Sequence, residues 1–123
     1  MKLIDANVIL RFLLNDVESQ SKVAKKAIEE GAFTIPEVIP EVLYVLTSVY
    51  KEPRENVGKI LSLFIDNVSI TDKTIIKEAL FQYTNTSLDY VDCVLLARAK
   101  MLGEEILTFD SKLNKKIDHI QKR

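Results

Sequence analysis

The chain has 123 residues, 47% of them hydrophobic and 28% charged, with a formal net charge of -1 at pH 7. That supports one domain with a sizeable core, spanning residues 1–123, and leaves no room for a second. Near-neutrality excludes nucleic-acid binding through global charge and leaves a local basic patch or bound metal ions. Cys93 and His119 are the only cysteine and histidine. They exclude an internal disulfide, a structural Cys/His zinc site and a histidine-pair catalyst. Asp5 comes too early for a signal peptide, and no apolar run approaches the roughly 18 residues of a membrane span. A cytoplasmic protein with no membrane contact is the expectation.

Lys2-Leu3-Ile4 reads as a buried strand whose end presents Asp5. Residues 8–14 are too apolar for periodicity to decide, but Asp5 or Asn7 can cap a short helix there. Residues 19–30 carry an apolar stripe of Val23, Ala24, Ala27 and Ile28 and predict a helix ended by Gly31. Phe33-Thr34-Ile35 predicts a strand stopped by Pro36. A helix follows from Glu37 to about Tyr50, with Pro40 tolerated in its first turn. Residues 54–64 predict the next helix and Val68-Ser69-Ile70 another strand. Asp72 is placed to cap a helix reaching about Thr84. Asn85-Thr86-Ser87 reads as a turn and cap before a helix over residues 89–102, ended by Gly103. Residues 106–109 predict a strand, residues 111–116 one helical turn, and residues 117–120 a last edge strand. Short apolar strands alternating with helices predict an α/β fold with a parallel sheet covered on both faces. Sites in such sheets gather beyond the carboxyl ends of the strands, where Asp5 and Asp110 fall.

Most of the 18 acidic residues sit beside lysines or other polar groups and read as solvated surface. Asp5, Glu41, Asp92 and Asp110 do not. Asp5 follows Leu3-Ile4, and Glu41 lies between Val38-Ile39 and Val42-Leu43. Asp92 is set in Tyr90-Val91-Asp92-Cys93-Val94-Leu95-Leu96-Ala97, and Asp110 ends Ile106-Leu107-Thr108-Phe109. Carboxylates among apolar residues need pairing, hydrogen bonds or a metal. Without His or Cys partners they select hard cations, Mg²⁺ or Mn²⁺, with Ca²⁺ also open. The chemistry such a cluster supports is phosphoester hydrolysis.

Each acid also has a plainer reading. Asp5 and Asp110 can cap the helices that follow them, and Glu41 can pair with a nearby base. Asp92 can form a buried ion pair with Arg98 or Arg11. Asp89 lies one helical turn before Asp92 and reads as a first-turn acid favoured by the helix dipole. Asn7 is open between a helix cap and a hydrogen-bonding partner of the acids, and Thr108 between a site hydroxyl and an ordinary strand residue. Cys93 reads as a small core residue. Lys112, Lys115, Lys116, Lys122 and Arg123 make the C-terminal end basic. A signalling receiver domain fits poorly, because Asp92 lies in a helix.

Four motifs in order resemble the PIN domain family, and specifically its VapC-type toxin ribonucleases. They are Leu3-Ile4-Asp5-Ala6-Asn7-Val8-Ile9, Ile39-Pro40-Glu41-Val42-Leu43-Tyr44-Val45-Leu46, the apolar stretch around Asp92, and Leu107-Thr108-Phe109-Asp110. The resemblance covers essentially the whole chain. It implies a three-layer α/β/α sandwich on a mostly parallel sheet of about five strands. It implies an endoribonuclease dependent on Mg²⁺ or Mn²⁺, with Asp5 and Asp92 as principal metal ligands and Glu41 and Asp110 completing the cluster. It further implies an RNA substrate, a protein antitoxin contacting helix residues between 8 and 49, and a homodimer. The alternatives are a PIN-type nuclease in RNA processing outside a toxin–antitoxin system, and a non-catalytic α/β binding module.

Overall fold

The computed structural model describes residues 1–121. Three short strands form one parallel sheet: β1 (Lys2–Leu3), β2 (Ala32–Thr34) and β3 (Ser69–Ile70), in the order β1-β2-β3. Lys2 and Leu3 pair with Ala32 and Phe33, and Phe33 and Thr34 with Ser69 and Ile70. Parallel neighbours require crossover connections, and helices supply them. Between β1 and β2 run α1 (Ala6–Leu14) and α2 (Glu18–Glu29). Between β2 and β3 run α3 (Val38–Tyr44), a π-helical turn (Val45–Val49) and α4 (Arg54–Ile65). After β3 come α5 (Lys73–Asn85), α6 (Tyr90–Leu102) and α7 (Ser111–Gln121). The buried apolar residues form one cluster, with Ile9, Ile39, Leu61, Ile65, Leu80, Leu96 and Leu113 fully enclosed. The α/β class and the parallel sheet are as the sequence predicts.

The sheet has three strands rather than about five. Residues 106–109 are extended but pair with no strand. Residues 117–120 belong to α7 and are not an edge strand. The reason lies in the spacing of Leu113, Ile117 and Ile120, which puts all three on one helical face; Leu113 and Ile117 are buried there. The helix from Glu37 does not stay α-helical to Tyr50. Its last turn is π-wound, with the Tyr50 amide donating to the Val45 carbonyl. Thr47 contributes: its hydroxyl donates to the Leu43 carbonyl at 2.8 Å and competes for the acceptor an α-helical amide would use. Asp72 stands at the start of α5 without capping it by its side chain, because its backbone is left-handed (φ 57°). Its carbonyl instead accepts from the Ile76 amide. Gly103 closes α6 in the left-handed region, which costs a residue without Cβ nothing. Lys122 and Arg123 of the basic end lie outside the described residues.

Candidate metal centre

Asp5 leaves the carboxyl end of β1 and becomes the N-cap of α1. Its Oδ1 accepts from the Val8 amide at 3.0 Å. Thr34 fixes the position of that corner: its buried hydroxyl donates to the Ile4 carbonyl at 2.7 Å, tying the end of β2 to the residue before Asp5. Asp110 caps α7 in the same manner, its Oδ1 accepting from the Leu113 amide at 2.8 Å. Thr108 prepares that cap, since its hydroxyl accepts from the Asp110 amide at 3.1 Å. Its hydroxyl therefore serves the local turn. Asp89 caps α6, accepting from the Asp92 amide at 2.9 Å. The capping readings of Asp5 and Asp110 thus hold, and each cap engages Oδ1 of its carboxylate. Helix N-termini favour negative charge, so these positions keep carboxylates ionised.

Asp92 lies half-buried on the first turn of α6. Its burial raises its pKa above the ordinary carboxylate value, and the like charges of Asp89 and Asp110 raise it further. These three acids therefore face one another. The ion-pair alternative for Asp92 does not hold: Arg98 grips Glu104 with bonds of 2.5 and 2.8 Å, and Arg11 holds Asp16 at 2.7 Å. Glu41 is exposed on α3. Among the described residues, none of Asp5, Glu41, Asp92 and Asp110 forms an ion pair.

The donors suit a hard cation in kind, being carboxylate oxygens with no bound base to compete. Their assembly is incomplete. No three His, Cys, Asp or Glu side chains among the described residues lie close enough together to hold an ion. Asp92 is coupled to Asp89 and Asp110, whereas Asp5 and Glu41 stand on separate elements.

Sequence reasoning missed two positioning residues. Thr34 is one, a polar side chain in an otherwise apolar strand. Arg54 is the other. Its Nε donates to the Tyr83 carbonyl at 3.0 Å, its Nη2 donates to the Leu88 carbonyl, and its guanidinium lies 3.9 Å from the centre of the Tyr83 ring. These contacts fix the turn that delivers Asp89 and Asp92. A base in the first turn of a helix opposes the dipole, and that mismatch was the available signal. Cys93 is fully buried, and burial pushes its thiol up to about 11, which rules it out as a nucleophile. Asn7 lies exposed within the first turn of α1, whose cap is Asp5.

The whole arrangement matches a known family. Residues 2–118 match the PIN domain. The chain is 28% identical to the VapC ribonuclease of Aquifex aeolicus (strain VF5), over 94% of this chain and 91% of that protein. No solved structure matches it. No helix among the described residues is long and apolar enough to cross a membrane. With the acids in the family's order and the match running from Lys2 to Asp118, the chain belongs to the PIN domain family.

Proposed function

We propose that this chain, as a single domain over residues 1–123, is a divalent-metal-dependent endoribonuclease and the toxin of a toxin–antitoxin pair. The observation that carries the reading is the field at Asp92, where two further carboxylates face it and no base among the described residues neutralises it. Likeness to a VapC ribonuclease over most of the chain supports the RNA substrate and the antitoxin. Asp5, Asp92, Glu41 and Asp110 would hold Mg²⁺ or Mn²⁺, which supplies Lewis-acid stabilisation of phosphate charge and a water of lowered pKa. The chain's own residues set the stage. Helices α1, α6 and α7 present their N-termini, and the capped acids, toward the phosphate. Thr34 and Arg54 hold the two corners rigid, as positioning for in-line attack requires. Local positive charge from bound ions lets a chain of net charge -1 engage a polyanion.

Exposed Tyr44 and Val49, on α3 and the π-turn, support an apolar antitoxin contact within residues 8–49. A cytoplasmic homodimer completes the reading. The test is cleavage of total RNA by the purified chain in Mn²⁺ or Mg²⁺. Cleavage should disappear with EDTA and in Asp92→Asn. Cleavage that persists in both would overturn the assignment.

A further inference from the structure

β1 forms one edge of the sheet, and its outer side pairs with nothing among the described residues. A groove of about 460 Å³ runs beside it, lined mainly by apolar groups of Leu3, Val8, Val23, Ala24 and Ala27. Leu3 is 57% exposed and Val23 70%. Elsewhere on the same chain, residues 106–109 are extended and alternate in exposure. Ile106 and Thr108 are half-buried, while Leu107 is 88% exposed and Phe109 96%. An open strand edge and an apolar, strand-forming segment without a partner invite each other.

The segment is braced where it stands. Arg98 holds Glu104 by two bonds, and Asn114 Nδ2 donates to the Thr108 carbonyl at 2.8 Å. Closing it onto its own β1 would break these bonds, but a second copy can meet its outer face as it is. Charge agrees: Lys2 on β1 and Glu105 beside the segment are both exposed, and neither is ion-paired among the described residues. Two reciprocal contacts related by a two-fold axis close into a dimer, whereas one alone would propagate. Covering Leu107, Phe109, Leu3 and Val23 of both copies buries on the order of 1,000 Å², the lower range of stable interfaces.

We infer that residues 106–109 of one copy add as a parallel strand to the free edge of β1 in a second copy, reciprocally, so that each acidic site is built from both chains. Parallel addition carries Asp110, with Asp89 and Asp92, to the sheet end from which Asp5 of the other copy emerges. The two halves that one chain keeps apart are thereby joined. The composite site rests on the metal-site reading above; the strand exchange does not.

Cross-linking tests the exchange without reference to activity. A Leu3→Cys chain mixed with a Leu107→Cys chain should give a covalent heterodimer under mild oxidation; buried Cys93 does not compete. Leu107→Asp with Phe109→Asp should convert a dimer to a monomer by sedimentation, with an unchanged circular dichroism spectrum, since both side chains are exposed. A monomeric wild type overturns the inference. So does a link that forms only within a Leu3→Cys, Leu107→Cys double variant. Co-expressed Asp5→Asn and Asp110→Asn chains then test the composite site. Each heterodimer retains one site with both acids intact, so about a quarter of wild-type cleavage should return. No return from a cross-linkable, RNA-cleaving wild type refutes the shared site. An inactive but cross-linkable wild type refutes the nuclease reading alone.

Discussion

Asp92 is half-buried against two carboxylates, and the consequence has a definite sign. Its folded-state pKa is raised, so the folded chain binds this proton more tightly than the unfolded one. Asp92 therefore favours the fold below its unfolded pKa of about 4, and that contribution is lost as pH rises through the folded value. Asparagine cannot ionise. Asp92→Asn should hold the melting temperature at pH 7 or raise it by up to about 4 °C, and the difference should shrink as pH falls toward 4. Melting curves at both pH values check this; unfolding of Asp92→Asn at pH 7 would mean the carboxylate has a stabilising partner. Thr34→Val removes the hydroxyl from the Ile4 carbonyl and should cost about 1–2 kcal/mol in urea unfolding. No change would show that the corner before Asp5 needs no such tie.

Elements bring the acids to their places, and their legibility depended on how local the signal was. Helices with their own punctuation read correctly. Asp5 opens α1, Gly31 follows α2, and Gly103 closes α6. Residues 106–109 misled because alternation marks a strand only when an edge receives it, and the sequence does not show which edge is open. Residues 117–120 misled because two isoleucines three apart suit either period until Leu113 is counted with them. The roles of Thr34 and Arg54 depend on partners 30 and 29 to 34 positions away, beyond any local pattern. Close packing of α4 on α5 was equally invisible. A Cβ at Gly58 would collide with the Thr84 hydroxyl, which is already committed to the Leu80 carbonyl at 2.8 Å. Gly58→Ala should therefore destabilise by about 1–3 kcal/mol despite its better helix propensity, and Thr84→Ala in the same chain should recover part of the loss. Stabilisation by Gly58→Ala alone would show that Thr84 moves aside freely.

The whole molecule holds its acids at helix N-termini around a small parallel sheet, and like charge on Asp92 makes the metal-free site an unfavourable one. A cation that binds only the folded chain must then raise stability, by roughly 2.7 kcal/mol at a hundredfold excess over its dissociation constant. The most direct measurement is the melting temperature of wild type, Asp5→Asn and Asp92→Asn with and without Mn²⁺. Wild type should gain several degrees, and each variant should lose most of that gain, because Asp5 and Asp92 serve one ion. A wild type indifferent to Mn²⁺, or variants that gain as much as wild type, would contradict a shared metal centre and leave these carboxylates as helix caps.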